Sequence, residues 1–306
     1  MLNNSAFLDA FMARYNYPGE AVSTFTRLQK RAETDPVFGG KLEEIVNGYM
    51  YPAADGLSDA LHGMTAMAKT FDENEYTMHF LFLLNCMPIL KARYDEAGYS
   101  EELFYRMADD LRCKLLECIE CKGVPGTFVA DWNDGTLKMK RFGLGRFQYE
   151  VRWTRDDPEI TLSDGTVLPA GCKKIGFHIP SSGIPLTDEV RHDSYHRAWE
   201  FFRDQFPDGK VVFGCSSWLL YPRHKEFLPE HSNILRFLDD FHIVDSYVSD
   251  SFHDDWRVFG RYAGQPFDKL PRDTSLRRAY ADWLAAGNKA GSAYGVFVYD
   301  GKTFTK

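Results

Sequence analysis

The sequence predicts a mixed fold, α+β or α/β in class, with an all-helical N-terminal domain followed by a mixed-sheet C-terminal domain. Three observations carry that reading. Long helical patterns over 72–97 and 100–122 dominate the N-terminal part. Near residue 145 the hydrophobic period drops from 3.6 to 2, the mark of a half-buried strand. Finally, 173–206 runs from an apolar strand (175–179) through a Pro/Ser/Gly loop (180–186) into an amphipathic helix opened by Thr187. Such a strand–loop–helix unit aims backbone N–H groups and the positive end of a helix dipole at one spot, which suits an anion. The end of the 100–122 helix at Gly123 and Pro125, before that change of period, divides the chain into domains 1–125 and 126–306.

In chain order, 6–15 reads as a short amphipathic helix closed by Tyr17-Pro18-Gly19, and 20–32 as a second. Pro36 and Gly39-Gly40 read as punctuation before helices at 42–49 and 57–69, the latter after a turn at 52–56. The 72–97 helix takes Asp72 as cap and Gly98 as stop, is apolar nearly all round, and should kink at Pro88. The 100–122 helix has Ser100 as N-cap and Glu101-Glu102 in its first turn. Leu103, Met107, Leu111, Leu115, Cys118 and Ile119 lie on one face, and Gly123 and Pro125 end it. In the 145–154 strand Phe147, Tyr149, Val151 and Trp153 share one face, with Arg146, Gln148, Glu150 and Arg152 on the other. A hairpin through Asp164-Gly165 follows. Then come a strand (173–179), the 187–206 helix with Val190, Ala198, Phe201 and Phe202 inward, a strand (211–215) and short helices over 217–238. Strands at 241–249, 254–260 and 292–299 flank a last helix at 274–286.

Bulk properties narrow the function. A net charge of −8 argues against nucleic acid as a partner, because a phosphate-backbone binder shows a basic face. The start lacks a leader's basic head and cleavage site, and the most apolar run, 78–90, is too short to span a membrane. The six cysteines form no small-domain framework, as in a reducing compartment, so the expected location is the cytoplasm without membrane association. Cys113, Cys118 and Cys121 have an iron–sulfur-like spacing but fall in a helical pattern, where they read as helix thiols.

LGRFQYEV (144–151), FHIPSSGIPLT (177–187), and FGCSSWLLYP (213–222) with SNILRF (232–237) resemble a family of bacterial acyltransferase-domain proteins. In that family a helical N-terminal domain precedes a GNAT-like C-terminal domain, and the resemblance spans essentially the whole chain. It implies acyl-CoA (acetyl-CoA or longer) as co-substrate, bound by the 180–187 loop through Ser181, Ser182, Gly183 and Thr187. The usual loop of that superfamily reads Gln or Arg, two residues, Gly, one residue, then Gly or Ala. The segment after Ile179 departs from this pattern. A near match, Lys140 with Gly143 and Gly145, precedes a strand and reads as a turn.

Chemistry candidates stand beside plainer readings. Glu150 is a general base, or a carboxylate paired with Arg146 or Arg152. His178, at the carboxyl end of its strand, is a base, or a structural pin for the Pro180 loop. Cys215 is a nucleophile paired with His178, or a buried thiol followed by two capping serines. Gln148, Ser216, Ser217 and Trp218 are the candidate substrate contacts. His192 and His196, four apart on a helix, have a ligand spacing but read as a polar helix face, and no metal is expected. Three functions follow. The first is N-acyl transfer from acyl-CoA to an amine of a small molecule or peptide. The second is a cysteine-dependent hydrolase or acyl carrier using Cys215 and His178. The third is a non-catalytic binding protein on the same frame.

Overall fold

Residues 3–51, 56–152 and 157–306 are described by the computed structural model, and the chain divides into two compact units, Met1–Phe142 and Gly143–Lys306. Residues 52–55 of the expected 52–56 turn, and Trp153 with the end of its strand, lie outside the described residues.

The first unit holds α1 (Ser5–Arg14), α2 (Gly19–Thr34), α3 (Pro36–Met50), α4 (Leu57–Phe71), α5 (Glu75–Glu96), α6 (Glu101–Lys122) and the single turn α7 (Asp134–Leu137). Helix α5 packs against α1, α2, α3, α4 and α6 and buries Phe80 through Met87, so its sequence is apolar on every side. It continues through Pro88. Its one deep amide, Asn85, donates to Gln29 Oε1 (3.1 Å) and Leu81 O (3.0 Å). Ser100 caps α6 by accepting from Leu103 N, and Gly123 closes it in the left-handed conformation, as expected.

Two helix boundaries differ from the sequence expectation. Asp35 caps α3 by accepting from Val37 N and Phe38 N, with Pro36 at the first helical position, so Pro36 opens the helix. Gly39 lies inside α3 because a Cβ there would come within 2.0 Å of Ala32 O. Asn74, not Asp72, caps α5, while Asp72 (φ +53°) ends α4. Along the chain the division falls after Phe142, whereas the expected boundary is near 125. Thr127 N donates to Tyr76 O (3.0 Å), Thr77 Oγ1 to Pro125 O (2.7 Å) and Tyr49 Oη to Asp134 Oδ1 (2.9 Å), which ties the segment after α6 to the helices.

The remaining elements are β1 (Arg141–Leu144), β2 (Phe147–Arg152), β3 (Ile160–Thr161), β4 (Val167–Leu168), β5 (Lys174–His178), α8 (Asp188–Phe202), β6 (Val211–Ser217), α9 (His224–Phe227), α10 (Asn233–Leu238), β7 (His242–Val248), α11 (Asp255–Phe259), α12 (Ser275–Ala285), β8 (Gly291–Tyr299) and β9 (Phe304–Thr305). Among the described residues the main sheet runs β1-β2-β5-β6-β8-β7, with β9 on β8. β5 and β6 are parallel; β2–β5, β6–β8 and β7–β8 are antiparallel.

Helix α8 covers one face of this sheet. Tyr195 is its centre, with ring centroids 4.9 Å from Phe297, 5.6 Å from Phe147, 5.8 Å from Phe177 and 6.2 Å from Phe213. Part of the opposite face is covered by the β3–β4 hairpin, where Ile160, Leu162 and Leu168 pack with Val212, Val296 and Val298. The segment expected as a strand at 254–260 is helix α11. Val258, Phe259 and Gly260 are buried in succession, which an alternating strand does not allow, and Asp255 favours a helix first turn.

Candidate active site

Strand alternation sorts the candidate residues by face. Phe147, Tyr149, Phe177 and Phe213 face α8, so Gln148, Glu150, Gly176, His178, Gly214 and Ser216 face the other way. Glu150 and His178 come together there. Their strands pair with Gln148 opposite His178 and Glu150 opposite Gly176, and His178 Nε2 lies 2.9 Å from Glu150 Oε1. Arg152 Nε donates to the same oxygen at 3.0 Å. A carboxylate oxygen only accepts, so Nε2 is the donor in the His178–Glu150 bond. The ion-pair reading of Glu150 is met with Arg152, and the same carboxylate oxygen meets the His178 imidazole.

Next to this pair the sheet opens. β5 and β6 are in register only at Ile175 with Phe213 and Gly176 with Gly214. Beyond that, His178 stays paired to β2 and Ser217 to β8, so the two parallel strands part at their carboxyl ends. The floor before the parting is bare backbone. A Cβ at Gly176 would come within 2.5 Å of Arg152 Cδ, and one at Gly214 within 3.0 Å of Tyr294 Oη. Arg152 and Tyr294 thus reach over the two glycines. Burial, then the Asp157 charge, holds the Tyr294 phenol well above its usual range, so it remains a proton donor at neutral pH. Ser216 stands opposite Tyr294 in register and is exposed. Gln148 is buried, and among the described residues no group donates a hydrogen bond to its Oε1.

Cys215 falls outside this cluster. It lies two residues beyond Phe213, on the α8 face, whereas His178 is on the other, so the expected Cys–His pair does not form. Burial also pushes its thiol up to about 12, which suppresses the thiolate a nucleophile needs. Ser217 Oγ accepts from Leu219 N, capping a short 3-10 turn. Trp218 packs on Tyr280, Phe252 and His224 at 5.7–6.1 Å. Of His192 and His196, the second has Nδ1 3.2 Å from Tyr299 Oη, and among the described residues no group of three His, Cys, Asp or Glu could hold a metal.

The 179–187 loop is held from beneath. Buried Arg146 donates to Pro180 O (2.7 Å) and Ile184 O (3.0 Å). Arg191, 1% exposed, donates to Leu186 O and forks onto Asp240 at 2.7 and 3.2 Å, where Tyr195 Oη also donates. Ser194 ties the β1–β2 turn to α8, donating to Leu144 O while accepting from Phe147 N. Above these anchors Ser181 and Gly183 are exposed, Ser182 Oγ accepts from Ile184 N, and Gly183 has φ +78°. Thr187 precedes α8 in extended conformation. Asp188 in the first turn is met by Arg191 and Arg236. The sequence reading missed Arg191, Ser194 and Tyr294. The lone glycines at 176 and 214, inside apolar strands, were a legible sign of close approach.

Residues 142–297 match the family model described as the GNAT-like C-terminal domain, and residues 6–139 match that of the N-acyltransferase N-terminal domain. The chain belongs to this family. Its GNAT-like domain includes both the Glu150–His178 pair and the parting of β5 and β6. Among solved structures, the chain is similar to an acyltransferase in complex with decanoyl-CoA and teicoplanin, at 23% identity, 94% of this chain and 98% of that one, with a TM-score of 0.62. It is equally similar to an acyltransferase variant in complex with octanoyl-CoA and to an acyltransferase in complex with CoA and 10C-teicoplanin, at the same identity, coverage and TM-score. At that identity the likeness is one of fold. No curated protein matches the chain.

Proposed function

We propose that the protein is an N-acyltransferase that moves an acyl group from acyl-CoA to an amine of a small molecule or peptide. The observation that carries this reading is the parting of β5 and β6 beside the Glu150–His178 pair. An extended pantetheine arm needs an opening of this kind, and a thioester carbonyl seated there lies next to a base. His178, oriented by Glu150, takes a proton from the amine. The nitrogen lone pair attacks the thioester carbon, and a backbone N–H near Cys215 receives the developing oxyanion. The C–N bond forms, the C–S bond breaks, and the thiolate takes up the proton that His178 removed from the amine, while the Tyr294 hydroxyl stays protonated as a hydrogen-bond donor. Ser181, Ser182, Gly183 and Thr187 meet the CoA phosphates at the start of α8.

The solved acyltransferases it resembles hold octanoyl- and decanoyl-CoA, which supports chains longer than acetyl. All six cysteines are thiols, which suits the cytoplasm. Among the described residues no helix is long and apolar enough to cross a membrane.

Calorimetric titration of acetyl-, octanoyl- and decanoyl-CoA tests the reading. Wild type should bind saturably, and a Ser182→Glu/Gly183→Pro variant should not, because proline cannot adopt φ +78° and the glutamate repels phosphate. Failure of wild type to bind any of the three overturns the proposal.

A further inference from the structure

Gln148 sits on the site face of β2, in register with His178 and two residues from Glu150. It is 3% exposed, and its Oε1 is buried without a donor among the described residues. Buried amide oxygens normally accept a hydrogen bond, and leaving one unmet costs stability. The neighbouring groups do not supply one: Arg152 Nε is directed to Glu150, and His178 Nε2 to the same carboxylate.

We propose that Gln148 Oε1 accepts an N–H of the attacking amine and so makes the site select amines over alcohols. The inference rests on the acyl-transfer reading above and names a property of the same site. A neutral primary amine brings two N–H bonds. During attack one proton passes to the His178–Glu150 pair, the C–N bond forms, the C–S bond breaks and the thiolate is protonated. The second N–H stays on nitrogen and ends in the amide product, so it can be held by Gln148 throughout. An alcohol brings a single O–H proton, which the base removes. Nothing then remains for Gln148 Oε1, and the transition state is reached with a buried acceptor unmet. That difference corresponds to about a tenfold to hundredfold preference in rate.

Decanoyl-CoA as donor and 6-amino-1-hexanol as acceptor offer both groups in one molecule, and mass spectrometry reads the ratio of amide to ester. Wild type should yield the amide in large excess. Gln148→Met keeps length and removes the acceptor, so the ratio should fall by about tenfold or more. Gln148→Glu keeps an acceptor oxygen and should retain the amide preference. The Met variant should melt no lower than wild type, since it removes an unmet buried oxygen. An unchanged ratio in a folded Met variant overturns the inference and leaves the acyl-transfer reading standing, as does a lower melting temperature with the ratio intact. If wild type transfers to neither group, the acyl-transfer reading falls and takes this inference with it.

Discussion

Glu150 Oε1 accepts from both His178 and Arg152, so its loss should act through the imidazole it orients. Glu150→Gln should lower kcat for decanoyl transfer by about 10²–10⁴ with little change in decanoyl-CoA affinity. Steady-state kinetics beside calorimetry separates the two. Cys215→Ser should keep transfer within a few-fold, because the thiol faces α8; complete loss with a covalent acyl adduct on wild type would restore the nucleophile reading. A second residue gives a pH signature. His224 is fully buried, with Nε2 2.5 Å from Tyr280 Oη, and burial drops its pKa from 6.5 to about 4. The unfolded chain takes up this proton below about 6.5 but the folded one only below about 4. The contribution is therefore complete above 6.5 and is lost as pH falls toward 4. At pH 5 the loss is about 2 kcal/mol, visible in urea melts and reduced in His224→Gln.

At the scale of elements, α8 serves the site by what it anchors. Arg146 and Arg191 hold the loop between β5 and α8 through its carbonyls, which keeps the loop's amides and serines outward. Arg146→Met removes the Pro180 and Ile184 bonds and should weaken acyl-CoA binding by about tenfold, with a lower melting temperature as well, because hydrogen bonds to charged groups carry about 1.5–3 kcal/mol each. Equal binding by the variant would place the phosphates elsewhere. In the helical unit α2 and α3 meet closely at Gly39, and Gly39→Ala should destabilise by about 1–3 kcal/mol, read by denaturant titration, through a collision with the Ala32 carbonyl.

Over the whole molecule, burial decides which thiols react. Cys86, Cys113, Cys118 and Cys215 are at most 2% exposed, while Cys121 and Cys172 are half-buried. An aromatic disulfide reagent should modify Cys121 and Cys172 first and the other four only in denaturant; fast native labelling of Cys215 would show an open path to the α8 face. Cys113, Cys118 and Cys121 all lie on α6, with Cys113 and Cys118 pushed up to about 12 by burial.

Helix caps such as Ser100 and Gly123, the Asp164-Gly165 turn and the strand–loop–helix from β5 to α8 were legible from sequence, because each depends on a few neighbouring residues. Pro36 and Asp72 misled because the caps that count, Asp35 and Asn74, are recognised only by which amides their side chains meet. The 254–260 segment misled because a short apolar run does not reveal its own period. Glu150 and His178 could be named singly, but their pairing is a matter of register between strands 28 residues apart in sequence. Cys215 and His178 are both near strand ends, and only the alternation of two strands in one sheet places them on opposite faces. Sequence alone determined the class of fold and the chemistry within reach. Tertiary structure decided which groups meet, since register, facing and burial are set by partners distant along the chain.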